Sequence, residues 1–108
     1  MKLPTTKHED YRRSLVEFIS DFPIRTAKVM YIKDEAVLGS HYHKLKDDIF
    51  YLIKGSGTAI INNRAEDFRA GECIHVKAGI KHAFTLHKGS ILLEASTTPY
   101  DKSDEYKA

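Results

Sequence analysis

His41 and His43 stand two residues apart in Gly39-Ser40-His41-Tyr42-His43, and His82 follows far down the chain after Ala78-Gly79-Ile80-Lys81. On an extended strand, residues i and i+2 leave the same face, so His41 and His43 present two imidazoles to one point. Three imidazoles and a carboxylate form a donor set that a divalent transition metal takes, whether Fe, Mn, Ni, Co, Cu or Zn. Asp47 and Asp48 supply the acid at a short interval. The plainer alternative is that these residues decorate the start of a strand. For proton transfer, Tyr51, Tyr31 and Tyr42 are the nearby phenols, and Tyr51 and Tyr31 are the catalytic candidates. Arg25 and Lys28 lie on the stretch "RTAKVMYI" and can meet a phosphate or carboxylate; the alternative is exposed surface charge.

Positioning such a set needs strands. From Arg25 onward, apolar and β-branched runs are cut by turns: "RTAKVMYI", "DIFYLI", "TAII", "FRAGECIHV", "HAFTL" and "SILLEAS". Asn62-Asn63 tolerates positive φ and suits a tight hairpin turn, while Gly55, Gly71, Gly79 and Gly89 mark other breaks. Eight or more short strands at this spacing predict an all-β sandwich or barrel. At the N-terminus, Thr6-Lys7-His8-Glu9 has the form of a capping box, which predicts a helical turn. The following "YRRSLVEFIS" suits either a helix or a short strand.

A chain of 108 residues is one domain with one hydrophobic core. With 42% hydrophobic and 30% charged residues it is not compositionally disordered. A net charge of +2 with scattered Lys and Arg argues against nucleic acid. No apolar run reaches membrane-spanning length, and "MKLPTTKHEDYRR" lacks a signal-peptide core, so neither membrane nor export is expected. Lone Cys73 excludes an intramolecular disulfide, and a cytoplasmic protein is the simplest reading. "IFYLI" and "SILLEA" are apolar on both faces, whereas an antiparallel sheet commonly wets one. Either a homodimer or the N-terminal segment must cover the second face, and a homodimer is the expectation.

The residues from Gly39 to Leu86 resemble the two motifs of the cupin superfamily. His41-x-His43, Asp48 and Gly55 follow the first motif, with Asp48 in place of its Glu. Gly71, Gly79 and His82 follow the second, with Lys77 for its Pro and Leu86 for its Asn. The resemblance implies a cupin double-stranded β-helix (a jelly-roll barrel) with a short N-terminal helical or extended segment. It implies one domain over 1–108, with a metal-site core at about 39–86. It also implies that His41, His43, Asp48 and His82 are the metal ligands. The spacing to Gly55 favours Asp48 over Asp47, but Asp is shorter than Glu by roughly 1.5 Å, comparable with ligand bonds of about 2.0–2.2 Å. A solvated carboxylate that hydrogen-bonds a histidine without touching the ion is the other role open to Asp48. His75 reads as a structural polar residue, His87 as outward-facing and His8 as solvated.

The ends of the chain, "DYRRSLVEFISDFPIRTAKVMYI" and "ILLEASTTPYDKSDEY", look like the sugar-nucleotide 3,4-ketoisomerase group of cupins. That group acts on dTDP-linked 4-keto-6-deoxy sugars without a metal, using a histidine of the HxH element as acid–base. Leu38 stands here where the group carries an arginine. The expected function is a metal-dependent isomerase or epimerase acting on a small carbonyl, carbohydrate or sugar-nucleotide substrate. A cupin dioxygenase, a metal-free ketoisomerase and a non-catalytic module binding a sugar or small acid are the alternatives.

Overall fold

The computed structural model describes residues 1–99 and 101–107. Its strands are β1 (Lys2–Leu3), β2 (Thr6–Glu9), β3 (Ser14–Glu17), β4 (Thr26–Tyr31), β5 (Ala36–His43) and β6 (Asp48–Lys54). They continue with β7 (Ser56–Ile61), β8 (Arg64–Arg69), β9 (Cys73–Val76), β10 (His82–Leu86), β11 (Ile91–Ser96) and β12 (Glu105–Lys107). Among the described residues the helical part is a 3-10 turn over Lys102–Asp104. Two five-stranded antiparallel sheets, β1-β9-β6-β11-β4 and β12-β5-β10-β7-β8, form the sandwich expected of a cupin.

Alternation along the strands fills the space between the sheets. Leu52, Ile74, Val76 and Leu92 from the first sheet meet Ala59, Phe68, Phe84 and Leu86 from the second in one buried cluster. Asn62 and Asn63 both adopt left-handed φ, at 52° and 65°, in the two-residue turn that joins β7 to β8. Gly55, at φ 96°, is the one residue between β6 and β7. A Cβ there would fall 2.1 Å from the Ser90 hydroxyl, so both space and conformation demand glycine.

The N-terminal segment takes the extended form, and the capping-box reading of Thr6–Glu9 is corrected. Those four residues are strand β2, paired with β3. The Asp10 carboxylate explains the difference, because it accepts hydrogen bonds from the backbone N–H groups of Arg12 (2.8 Å) and Arg13 (3.1 Å). An Asx-type turn therefore reverses the chain where a helix would have continued.

Beyond the hairpin, residues 18–22 cross the outer face of the first sheet. Phe18 stacks on Tyr51 with ring centroids 4.3 Å apart, and Phe22 meets the His75 ring edge-on. This segment covers part of the apolar outer face. Val29, Tyr31 and Ile53 stay exposed on the same sheet. Among the described residues no helix is long and apolar enough to cross a membrane.

Candidate metal centre and its cavity

A defect in β5 aims the first two histidines. His41 pairs with His82 and Gly39 with Ala83, which leaves Ser40 as an extra residue, a β-bulge. Gly39 and Ser40 carry φ of 88° and 63°. A strict two-residue alternation would put Leu38 and His41 on opposite faces. The bulge changes that parity, and both line one cavity between the sheets. His82 enters from the start of the neighbouring strand β10, held in place by the turn at Gly79, whose N–H donates to the His43 carbonyl.

The structure brings His41, His43 and His82 together, with one ring nitrogen of each within 4.8 Å of the others. Every one of these rings has Nδ1 engaged by an oxygen. His43 Nδ1 lies 3.0 Å from the Asp104 carbonyl, His82 Nδ1 3.1 Å from the Ile80 carbonyl, and His41 Nδ1 3.1 Å from the Glu105 carboxylate. Carbonyl oxygens accept and cannot donate, so His43 and His82 carry their proton on Nδ1 when neutral. Nε2 is then a free lone pair on each. Burial holds the His82 imidazolium down at a pKa of about 4; burial, reinforced by the Lys46 ammonium, also lowers that of His43. Two neutral imidazoles with oriented lone pairs are what a metal requires.

The set fits such an ion with a small adjustment. Metal–nitrogen bonds of about 2.0–2.1 Å allow two ligand nitrogens to be at most about 4.2 Å apart. A 4.8 Å pair closes by about 0.6 Å, a movement within side-chain adjustment.

Neither aspartate joins the three histidines. Asp48 points inward from the start of β6, 1% exposed, where Ser96 Oγ donates to its carboxylate and Lys46 Nζ lies 3.5 Å away. Asp47 turns outward: one oxygen is 3.1 Å from His75 Nε2 and the other accepts the Ala78 N–H at 2.9 Å. Tyr51 lies on the outer face beneath Phe18, and Tyr31 is 70% exposed; neither lines the cavity. Tyr42 stacks on Tyr106. Arg25 is exposed, whereas Lys28 lines the cavity.

Spacing did not point to Lys46, Glu94, Asp104 or Glu105. Glu94 had the one available signal, as the lone acid inside the apolar run "SILLEAS". Its carboxyl is pushed above the ordinary carboxylate range by burial and by the nearby Asp48 charge. Asp104 caps the β5–β6 loop, its carboxylate accepting from the N–H groups of Lys44 and Leu45. The cavity has a volume of about 210 Å³, with Met30, Leu38, Phe84 and Leu92 as apolar walls.

The chain is similar in fold to the dTDP-quinovose complex of ChmJ, a 3'-monoepimerase from Streptomyces bikiniensis. That match has a TM-score of 0.87 and 17% identity, covering 99% of this chain and 68% of that one. The TDP-quinovose 3,4-ketoisomerase WlaRB of Campylobacter jejuni superposes with a TM-score of 0.87 at 19% identity, covering 100% of this chain and 92% of that one. The RmlC epimerase of Mycobacterium tuberculosis gives 0.86 at 15% identity, covering 98% of this chain and 66% of that one. No curated protein sequence matches significantly. The cupin domain profile matches residues 28–96, the span that holds all three histidines and the cavity lining apart from Glu105. With that match across most of its length and both sheets in place, this chain belongs to the cupin domain family.

Proposed function

We propose that one cupin domain over 1–108 is a metal-dependent isomerase or epimerase acting on a small carbonyl compound of the carbohydrate or sugar-nucleotide class. The observation that carries this reading is the convergence of three imidazoles, each with Nδ1 engaged by an oxygen, at the wall of a small cavity. The activities of the similar structures, 3'-epimerisation and 3,4-ketoisomerisation, support the substrate class.

His41, His43 and His82 would hold the ion, and Asp48 is not needed for it. When bound, a divalent transition metal supplies Lewis acidity that polarises a substrate carbonyl. The chain itself orients the three rings, keeps His43 and His82 neutral, and walls the reacting carbon with apolar side chains that limit water. Elemental analysis of natively purified protein, together with proton NMR of dTDP-4-keto-6-deoxyglucose incubated with it, tests the reading. About one transition metal per chain and turnover that stops with a chelator is the expected outcome. Metal-free protein, with full activity in the His41→Ala variant, would overturn it.

The 3.1 Å approach of Glu105 to His41 favours a second reading. A carboxylate at Nδ1 fixes the orientation of the ring and leaves Nε2 toward the cavity, so His41 can take the proton from the carbon beside the carbonyl without any metal. Activity that survives a strong chelator selects this alternative.

The exposed strip of Val29, Tyr31 and Ile53 supports a homodimer, which light scattering of the purified protein tests. A cytoplasmic location belongs to the same proposal, in keeping with the lone reduced Cys73.

A further inference from the structure

The two sheets bring different chemistry to one cavity. The histidines come from β5 and β10. The facing wall comes from β4, β6 and β11, with Lys28, Phe50, Leu92 and Glu94, and from Lys46 in the β5–β6 loop. Lys28 and Glu94 are cross-strand partners. Lys46 Nζ sits 3.4 Å from the Glu94 carboxyl and 3.5 Å from that of Asp48. The three side chains are only 6%, 12% and 1% exposed, and Ser96 Oγ reaches both carboxyls.

Stability alone is a poor reason for this cluster. Taking charges out of water costs about as much as their pairing returns, and well-packed apolar side chains of the same volume generally serve as well or better. Asp48 and Ser96 face each other and not the cavity lining, whereas Lys46 and Glu94 reach it. The arrangement therefore has a support, Asp48 with Ser96, and a presented pair, Lys46 with Glu94. An ammonium donates and a carboxylate accepts, and a hydroxyl group is the small neutral function that needs one of each.

We infer that Lys46 and Glu94 are specificity-determining residues that bind a hydroxyl of the substrate, making that substrate a hydroxycarbonyl compound with its carbonyl at the histidines. Asp48 and Ser96 are positioning residues for the pair. This rests on the carbonyl-isomerase reading above and deepens it. The cavity volume of about 210 Å³ lies below the ~300–1,000 Å³ of sites for drug-sized ligands, so one small ring or a short polyol fills it. A nucleotide attached to that ring lies outside.

The test is steady-state turnover of dTDP-4-keto-6-deoxyglucose by the full chain as purified, alongside calorimetric binding of dTDP-quinovose and of dTDP alone. Two variants are compared with wild type: Glu94→Gln, and the double variant Lys46→Met with Asp48→Asn, which removes the ammonium together with the charge of its Asp48 partner and keeps Lys28 across the strands from Glu94. Loss of a hydrogen bond to a charged group predicts a KM about tenfold higher or more with kcat within about twofold. The affinity for dTDP-quinovose falls by the same factor, while that for dTDP and the visible spectrum of Co²⁺-loaded protein stay as in wild type. If the double variant does not fold, Glu94→Gln decides. Unchanged KM and unchanged dTDP-quinovose affinity overturn the inference and leave the isomerase reading intact. A wild-type protein that neither turns over the 4-keto sugar nor exchanges its α-protons with deuterium oxide overturns both.

Discussion

The Glu105 carboxylate lies 3.1 Å from Nδ1 of His41, brought there by strand β12, which pairs with the edge of β5. The same short strand follows Asp104, whose carbonyl engages His43. The C-terminal segment thus orients two of the three imidazoles, although it contributes no nitrogen itself. Partners of this kind fix the tautomer and ring orientation of a ligand imidazole. Glu105→Ala is expected to weaken Co²⁺ binding by about 10–100-fold in an absorbance titration. Glu105→Gln, which keeps an acceptor oxygen, loses less. Equal affinity in all three proteins would rule out this role for Glu105.

Asp48 separates a ligand from a structural charge. Removing it leaves Lys46 buried with Glu94 as its remaining ion-pair partner, and breaking a buried pair costs on the order of 3 kcal/mol. Asp48→Ala should therefore lower the urea unfolding free energy by about 3 kcal/mol. The metal content per chain should not change. A variant that folds stably but purifies without metal would show that Asp48 reaches the ion.

Tyr51 holds the N-terminal segment down. Its ring stacks on Phe18 at 4.3 Å, and such pairs are worth about 0.5–1.5 kcal/mol beyond burial. In Tyr51→Ala the amides of Ser14–Glu17 should exchange with deuterium faster, while those of β10 keep their protection. Tyr51→Phe preserves the stack and should match wild type. Uniform loss of protection across both sheets in Tyr51→Ala would mean that the contact stabilises the whole sandwich.

Cys73 is fully buried in β9, and burial pushes its thiol up to about 11. Only the thiolate attacks, so Ellman's reagent at pH 8 should find no reactive thiol in the native protein and one per chain in denaturing guanidinium. The native thiol should stay protected when the pH is raised to 9, below its folded pKa. Rapid labelling without denaturant would show that β9 opens readily.

Much of this protein is local information. Apolar alternation, the Asn62-Asn63 turn and the glycine at position 55 act over a few residues, so the strands and their breaks are legible without coordinates. The spacing of His41 and His43 is also local, since side-chain parity follows from strand geometry. His82 is legible by motif, because a turn at Gly79 places it at a strand start. The N-terminal hairpin was less legible, since Thr6–Glu9 satisfies a helix-capping pattern and the Asp10 turn decides only once β3 pairs back.

Tertiary structure decided what lies across a gap. The bulge at Ser40 resets the parity of Leu38 and His41, and it exists only because β5 pairs with β10. Whether Asp47 or Asp48 turns inward depends on His75 and Ala78 outside and on Ser96 and Lys46 inside, none of them close in sequence except Lys46. Glu94, Asp104 and Glu105 gain their roles from sheet pairing between distant segments. Residue types and short-range periodicity therefore determined the strands and the imidazole donors. Long-range pairing, which no local pattern encodes, decided which carboxylates orient those donors and which face the cavity.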